Sequence, residues 1–165
     1  MISNADYRSV MSRVPTSVAV ITATIDDRPI GMTVGTFTSV SLDPPLVAFF
    51  VDRSSTTWPK LAEAEHFGIN ILGAGAGAVC RAFARRGHDR FTDVMWNPSE
   101  RGVPLLEQAI VTAECTPYRV DPVGDHLQVV ARVENLEQRG SDDPLIFLHG
   151  GFVEMSTSAR QEVEA

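Results

Sequence analysis

The chain has 165 residues, of which 44% are hydrophobic and 21% charged, and its formal net charge is −7. This length fits one domain with a single core, and the negative charge argues against nucleic acid as a partner because phosphate backbones attract clustered cations. No apolar run approaches the roughly 20 residues of a membrane span, and the first ten residues lack a signal-peptide pattern, so we expect a cytoplasmic protein without a membrane partner.

The first part of the chain predicts a helix followed by a β-hairpin. Asn4 is a candidate N-cap, apolar residues recur at helical spacing on one face (Tyr7, Val10, Met11 and Val14), and Pro15 ends the pattern. Residues 17–25 are rich in Val, Ile and Thr and predict a strand. Residues 26–29 predict a turn, and residues 30–34 predict the second arm of the hairpin.

Residues 32–57 have the most unusual composition of the chain. Seven of the ten residues from 33 to 42 are Thr, Ser or Val; a wholly apolar strand follows at 46–51, and then Asp52-Arg53-Ser54-Ser55-Thr56. An unpaired buried hydroxyl costs about 1–3 kcal/mol, whereas hydroxyls, backbone N–H groups at a helix start and one arginine suit a phosphate. A surface strand edge and simple helix capping explain the same residues, so residue types alone leave both interpretations open.

The remainder of the chain predicts strands and helices in alternation. First come a helix capped by Thr56 or Thr57 with Trp58 in the core, a strand at 66–72 and a GAGAG link at 73–77. A helix at 76–85 that buries Val79 and Phe83 and a long irregular stretch at 87–106 follow. The chain then predicts strands at 110–118 and 126–137 around a turn at 124–125, and short strands at 145–147 and 152–155. The strand at 110–118 alternates, which predicts Thr112, Glu114 and Thr116 on its polar face.

Six to eight strands, mostly joined as hairpins, with two or three helices predict a mainly β fold in which antiparallel strands close into a barrel. We expect one domain over residues 1–165, with a core at about 5–155 and a polar tail at 156–165. Cys80 and Cys115 lie among apolar neighbours and predict buried thiols. No CxxC motif or paired-histidine spacing is present, so we expect no disulfide framework and no metal site.

Seven pieces of sequence, in order, match one family. They are SVAVITA at 17–23, GMTVGTFTSVSLDPPLV at 31–47, VDRSSTTWP at 51–59, FGINIL at 67–72, GHDRF at 87–91, GVPLLEQAI at 102–110 and GDH at 124–126. In these pieces the chain resembles the short-chain flavin reductases, the reductase components of two-component flavin-dependent monooxygenases. The resemblance implies an antiparallel split β-barrel of the FMN-binding type.

The resemblance also implies roles for individual residues. Residues lining the isoalloxazine ring and the ribityl–phosphate end would be Thr33, Val34, Gly35, Thr36, Thr38, Ser39, Val40 and Ser41. Residues completing the phosphate site would be Asp52, Arg53, Ser54, Ser55 and Thr56. Arg90 and Phe91 would lie near the flavin or its adenylate end, and His126 would sit beside the nicotinamide as the catalytic residue. No residue is assigned to a metal.

The implied activity is hydride transfer from NADH or NADPH to FAD or FMN, with the reduced flavin passed to a separate flavin-dependent monooxygenase. A homodimer is implied as well. Two other classes remain open: a flavin-binding electron-transfer or storage protein without nicotinamide turnover, and a split-barrel oxidase acting on its own substrate. The chain departs from the family at Gly35-Thr36, where Asn-Ser is common. It departs again at His149, which either substitutes for a frequent arginine or leaves that contact absent.

Overall fold

A seven-stranded antiparallel sheet organises the protein. The computed structural model describes residues 1–85, 89–140 and 143–153. In chain order the elements are α1 (Asn4–Met11), β1 (Thr16–Ser17), β2 (Ala19–Ile25), β3 (Arg28–Val34), β4 (Thr38–Leu42), β5 (Pro45–Asp52), α2 (Trp58–Leu61), β6 (Phe67–Leu72), α3 (Gly77–Ala84), β7 (Trp96–Pro98), β8 (Pro104–Leu106), β9 (Ala109–Val123), β10 (His126–Gln138), β11 (Ile146–Leu148) and β12 (Gly151–Val153).

The strands of the large sheet follow the order β3-β2-β6-β9-β10-β5-β4, and every paired neighbour is antiparallel. A three-stranded sheet (β1-β11-β12) and the β7–β8 hairpin complete the described part of the chain. The prediction of a mainly β fold with antiparallel pairing is confirmed. Strands β3 and β4, which follow one another in the chain, form the two edges and do not pair with each other among the described residues, so the split barrel stays a prediction.

The predicted hairpin at residues 17–34 forms, with Ala19 opposite Val34 and Ile25 opposite Arg28. Its two turn residues, Asp26 and Asp27, have φ values of 50° and 59°. Positive φ at both central residues is the signature of the type I′ turn, whose twist matches that of the flanking strands. This tight reversal brings β3 back beside β2, in register from Arg28 to Val34.

The main core lies between β5, β6 and α2. The Phe49 ring packs edge-on against Trp58, with centroids 5.8 Å apart, and against Phe67 at 6.1 Å. Trp58 is buried, as its helical spacing predicted, and α3 buries Val79 and Phe83 in a second core cluster. Strand β5 is buried along most of its length, which confirms that its apolar run is covered on both faces.

The first helix differs from its prediction at both ends. Ser3, in extended conformation, is the N-cap, and its hydroxyl accepts a hydrogen bond from the Asp6 N–H at 3.1 Å, whereas Asn4 is already helical. The helix ends at Met11, well before Pro15, and it buries none of its residues. Its apolar face is therefore exposed.

The predicted irregular stretch at residues 87–106 contains the β7–β8 hairpin instead, and residues 87–88 lie outside the described part. Sequence alternation predicted Thr112, Glu114 and Thr116 on the polar face of one strand, and the structure buries Glu114 and Thr112 on that face. The reason at Glu114 is tertiary: the Ser99 hydroxyl in the β7–β8 turn donates to its carboxylate at 2.8 Å. The strand predicted at 17–25 also divides into β1 and β2, and β9 continues five residues beyond the predicted end at residue 118, to Val123.

Candidate functional site

The segment from Asp52 to Thr57 turns sharply out of β5 into α2. The Asp52 carboxylate accepts from the Ser54 N–H at 2.7 Å. Thr57 is the N-cap residue of α2, one of the two residues predicted, but its own side chain makes no capping hydrogen bond. The Ser55 hydroxyl accepts instead from the N–H groups of Thr57 and Trp58 at 3.3 and 3.1 Å. In the described chain no side-chain hydrogen bond engages the hydroxyls of the exposed residues Ser54 and Thr56, which leaves them available to a ligand.

The GDH motif lies against this segment, although 71 residues of sequence separate Arg53 from Gly124. His126, the first residue of β10, pairs in register with Asp52 at the end of β5. The Arg53 N–H donates to the Asp125 carbonyl at 3.1 Å, and the Arg53 guanidinium donates to the Gly124 carbonyl at 3.4 Å. The structure thus brings two motifs that are distant in the sequence to one end of the sheet.

His126 is held by its neighbour. Its Nδ1 lies 2.6 Å from the Asp125 Oδ1, and 42% of the imidazole side chain is exposed. This hydrogen bond, assisted by the charge of the imidazole, lowers the pKa of the Asp125 carboxyl below its ordinary value. The imidazole ring is thereby oriented at the surface beside Asp52, with Nε2 directed away from the Asp125 carboxylate.

The hydroxyl-rich segment reaches the same strand from the other side. The Thr36 hydroxyl accepts from the Phe50 N–H at 2.8 Å and donates to the Phe50 carbonyl at 3.2 Å. Next, β4 pairs with β5 so that Thr38 lies opposite Ala48. At about 3.3 Å per residue, Asp52 lies about 13 Å further along β5 than Ala48. The hydroxyl-rich segment and the predicted phosphate segment are therefore about this far apart along the same strand.

The residues of the hydroxyl-rich segment differ in whether their side chains are free to contact a ligand. The Thr33 hydroxyl donates to the Cys80 carbonyl at 3.1 Å, and the Val34 side chain is buried in the main core, so these side chains are occupied internally. Ser39 and Val40 are exposed and Ser41 is half-buried, all on a strand whose outer backbone groups have no strand partner among the described residues. A Cβ at the exposed Gly35 would meet the Thr16 side chain at 3.4 Å and the Ser17 carbonyl at 4.0 Å, both ordinary contacts, so packing does not require glycine there.

A cavity of about 730 Å³ opens where the phosphate segment meets β3. Its lining residues come from four parts of the chain: Arg28, Pro29, Ile30, Gly31, Thr56, Thr57, Lys60, Asp89, Arg90 and Phe91. Packing against the core requires glycine at Gly31, since a Cβ there would lie 2.7 Å from the Phe83 ring and 2.9 Å from the Ile21 carbonyl. Thr56 is the residue that the cavity shares with the predicted phosphate site.

Arg90 and Phe91 both reach this cavity but are held differently. The Arg90 guanidinium donates to the Gly31 carbonyl, to the Thr57 hydroxyl at 3.0 Å and to the Arg85 carbonyl at 3.0 Å. Partial burial lowers its pKa. The Phe91 ring is 7% exposed and packs edge-on against Phe83, with centroids 4.9 Å apart. Arg90 therefore ties the cavity walls together, while Phe91 is mainly a core residue that reaches the cavity.

Sequence reasoning missed two cations of this cavity, Arg28 and Lys60. Each lies close to a sequence piece that matched the family: Arg28 begins β3, three residues before GMTVGTF, and Lys60 directly follows VDRSSTTWP. A positive charge flanking a hydroxyl-rich segment was the available signal. Within the described residues, no group of three or more metal-ligating side chains occurs, and none of the helices there combines the length and the apolar character needed to cross a bilayer.

Comparison with known proteins identifies the family. The model of the flavin reductase like domain matches residues 11–156. The chain belongs to the flavin reductase family. Among its relatives are the flavin reductase of Pseudomonas putida, 40% identical over 147 residues covering 88% of this chain and 86% of that protein, and the flavin-dependent monooxygenase reductase subunit HsaB of Mycobacterium tuberculosis, 33% identical over 96% of this chain and 89% of that protein.

A solved structure is similar over nearly the whole chain. It is the NADH:FAD oxidoreductase SgcE6 of Streptomyces globisporus C-1027 in complex with NAD and FAD fragments, with a TM-score of 0.89 and 32% sequence identity over 95% of each chain. The family assignment agrees with the resemblance that the GMTVGTFTSVSLDPPLV, DRSS and GDH pieces indicated.

Proposed function

We propose that this member of the flavin reductase family is an NAD(P)H-dependent flavin reductase, which transfers a hydride from NADH or NADPH to FAD or FMN and supplies the reduced flavin to a separate flavin-dependent monooxygenase. The observation that carries the proposal is the convergence of three motifs on β5: Thr36 on Phe50, β4 along the middle of the strand, and GDH at Asp52. Family membership fixes the class of reaction.

The residues present fit a flavin phosphate. In this proposal the phosphate lies against Arg53, Ser54, Ser55 and Thr56, where the hydroxyls of Ser54 and Thr56 have no partner in the described chain. One arginine and two free hydroxyls supply a charge-assisted site for a single phosphate. Asp52 does not oppose this arrangement directly, because its carboxylate is turned to the Ser54 N–H.

The ring end of the flavin would lie along Thr33, Val34, Gly35 and Thr36 and the exposed edge from Thr38 to Ser41. Here the backbone rather than the side chains supplies the hydrogen bonds, since the hydroxyls of Thr33 and Thr36 already engage Cys80 and Phe50. An edge strand presents alternate N–H and C=O groups to a ligand. N–H groups near an electron-rich ring stabilise negative charge that develops there.

Alignment is the main contribution of the protein to the reaction. A bound flavin would supply the hydride acceptor, and this chain positions the donor against it, which converts a bimolecular encounter into a nearly unimolecular one. In this proposal His126 contacts the nicotinamide carboxamide, which its orientation by Asp125 and its exposed position beside Asp52 support. Hydride transfer needs no general base, so His126 acts in this proposal as a contact that orients the donor.

The same proposal includes a homodimer with a split-barrel subunit. Support comes from apolar side chains on β9 next to the GDH turn: Tyr118, Val120 and Val123 are all more than 40% exposed. A second copy covering them would lie close to His126. A cytoplasmic location is supported by Cys80 and Cys115, which are free and buried, because disulfides mark oxidising compartments.

The proposal is tested by assaying the purified protein with NADH or NADPH in every combination with FAD or FMN, following nicotinamide oxidation. We expect turnover only when free flavin is added, with saturation in flavin concentration. A storage or electron-transfer protein would give no turnover in any combination. A tight flavoprotein or an oxidase with its own substrate would show turnover that does not depend on added flavin.

A further inference from the structure

The cavity beside the phosphate segment concentrates positive charge in an acidic protein. Among the described residues, three cationic side chains, Arg28, Lys60 and Arg90, line it together with one carboxylate, Asp89, whereas the whole chain carries a formal charge of −7. Like charges held around one concavity repel each other unless an anion lies between them. The local charge therefore favours a negatively charged occupant.

Two of these cations are uncommitted. Arg90 is already shared among the Gly31 carbonyl, the Thr57 hydroxyl and the Arg85 carbonyl. By contrast, the side chains of Arg28 and Lys60 form no ion pair or hydrogen bond with any residue in the ranges that the structure describes. Both are exposed at the mouth of the cavity.

The cavity continues the predicted phosphate site. Thr56 belongs to both, and Thr57 follows it into the cavity wall. A ligand whose first phosphate lies against residues 53–56 would enter the cavity with its next phosphate. The volume of about 730 Å³ lies in the range of small-molecule sites, roughly 300–1,000 Å³, and Pro29 and Ile30 give one wall an apolar surface for a flat base.

We propose that this cavity binds the adenosine-phosphate half of a dinucleotide, with Arg28 and Lys60 as the residues that pair with its phosphate and so favour a dinucleotide over a mononucleotide. The inference rests on the proposed function, since it names what the same site takes beyond the first phosphate. Two ligands carry this chemistry, FAD and the nicotinamide dinucleotide. Continuity through Thr56 with the flavin phosphate segment favours FAD.

The test measures binding without turnover. Calorimetric titrations with FAD, with FMN and, in flavin-free protein, with NADH are compared for wild type, Arg28→Gln, Lys60→Gln and the double variant. An exposed ion pair contributes about three- to fivefold to an affinity. The double variant should therefore bind FAD roughly tenfold more weakly and FMN as the wild type does.

Matched controls separate this effect from general electrostatics. Arg101→Gln removes one positive charge from an exposed residue outside the cavity and should leave all three affinities unchanged. The charge-preserving variants Arg28→Lys and Lys60→Arg should retain most of the FAD affinity, and circular dichroism checks the fold of each variant.

A selective loss of FAD binding supports the inference with FAD as the source of the adenosine phosphate. A selective loss of NADH binding supports it with the nicotinamide dinucleotide as the source. Equal weakening of FAD and FMN, or no change in any affinity, overturns it. Failure of the proposed function looks different, because wild-type protein would then oxidise no nicotinamide nucleotide with any flavin, whatever the variants do.

Discussion

Asn70 joins three elements in the centre of the protein, and its removal should cost a large part of the free energy of unfolding. The side chain is fully buried. Its amide donates to the Val20 carbonyl at 3.1 Å and to the Thr22 hydroxyl at 3.0 Å, and its oxygen accepts from the Leu106 N–H at 2.8 Å. In Asn70→Ala the buried Leu106 N–H is left unpaired, at about 1–3 kcal/mol, and two further bonds of about 1 kcal/mol each are lost.

The expected loss for Asn70→Ala is therefore about 3–5 kcal/mol, against a total stability of roughly 5–15 kcal/mol for a domain. Urea unfolding followed by circular dichroism measures it, with Asn97→Ala as the control. Asn97 is exposed and makes one side-chain hydrogen bond, to Glu107 at 3.1 Å, so its loss should stay near 0.5 kcal/mol or less. Equal losses for the two variants would refute the reasoning that buried partners of Asn70 determine the cost.

Three other outcomes are expected. Thr36→Val removes both hydrogen bonds to Phe50 and should weaken flavin binding roughly tenfold in a fluorescence titration, while Thr36→Ser stays near wild type; equal affinities for the two variants would contradict this. His126→Ala should raise the KM for NADH by a larger factor than the Kd for flavin. An equal increase in both constants would contradict the role of His126 as a nicotinamide contact. Burial raises the pKa of the Cys115 thiol to about 12, so reactive thiolate forms only as the pH rises towards that value. Iodoacetamide at neutral pH should label Cys115 only after unfolding, as read by mass spectrometry, and labelling of the folded protein would show that the thiol is accessible.

Regular patterns in the sequence predicted much of the sheet. The apolar run of β5 and the alternation of β10 specify strands because side chains follow the two-residue period of an extended chain. Trp58 and Phe83 were assigned to the core by helical spacing, and both are buried. These features are local, so a single sequence is enough to see them.

The errors arise where tertiary contacts decide the outcome. Alternation assigned Glu114 to a polar face but did not predict its burial, because the partner of its carboxylate is Ser99 in a distant turn. The β7–β8 hairpin has only three residues in each arm, which is too short for a periodic signal. Ser3 is the N-cap of α1 in place of the predicted Asn4, and Ser55 supplies the side-chain hydrogen bonds at the start of α2, whose N-cap is Thr57. Backbone conformation selects which of several neighbouring polar side chains reaches the free N–H groups.

The candidate site was predicted in part. The proximity of Arg53 to Gly124 follows only from the pairing of β5 with β10, which no local pattern reveals, although the family resemblance implied that both motifs serve one site. The resemblance gave no role to Arg28 or Lys60. Their position at the cavity is set by the hairpin turn and by α2 packing side by side, which is a property of the fold.

The most direct test of the central claim is anaerobic reduction of free flavin by NADH or NADPH in the presence of a catalytic amount of the protein, followed by loss of the absorbance of the oxidised flavin. We predict that many equivalents of FAD or FMN are reduced per protein molecule, each consuming one equivalent of reduced nicotinamide. Reduction that stops after one equivalent per protein molecule, or that does not exceed the rate without protein, would contradict the account.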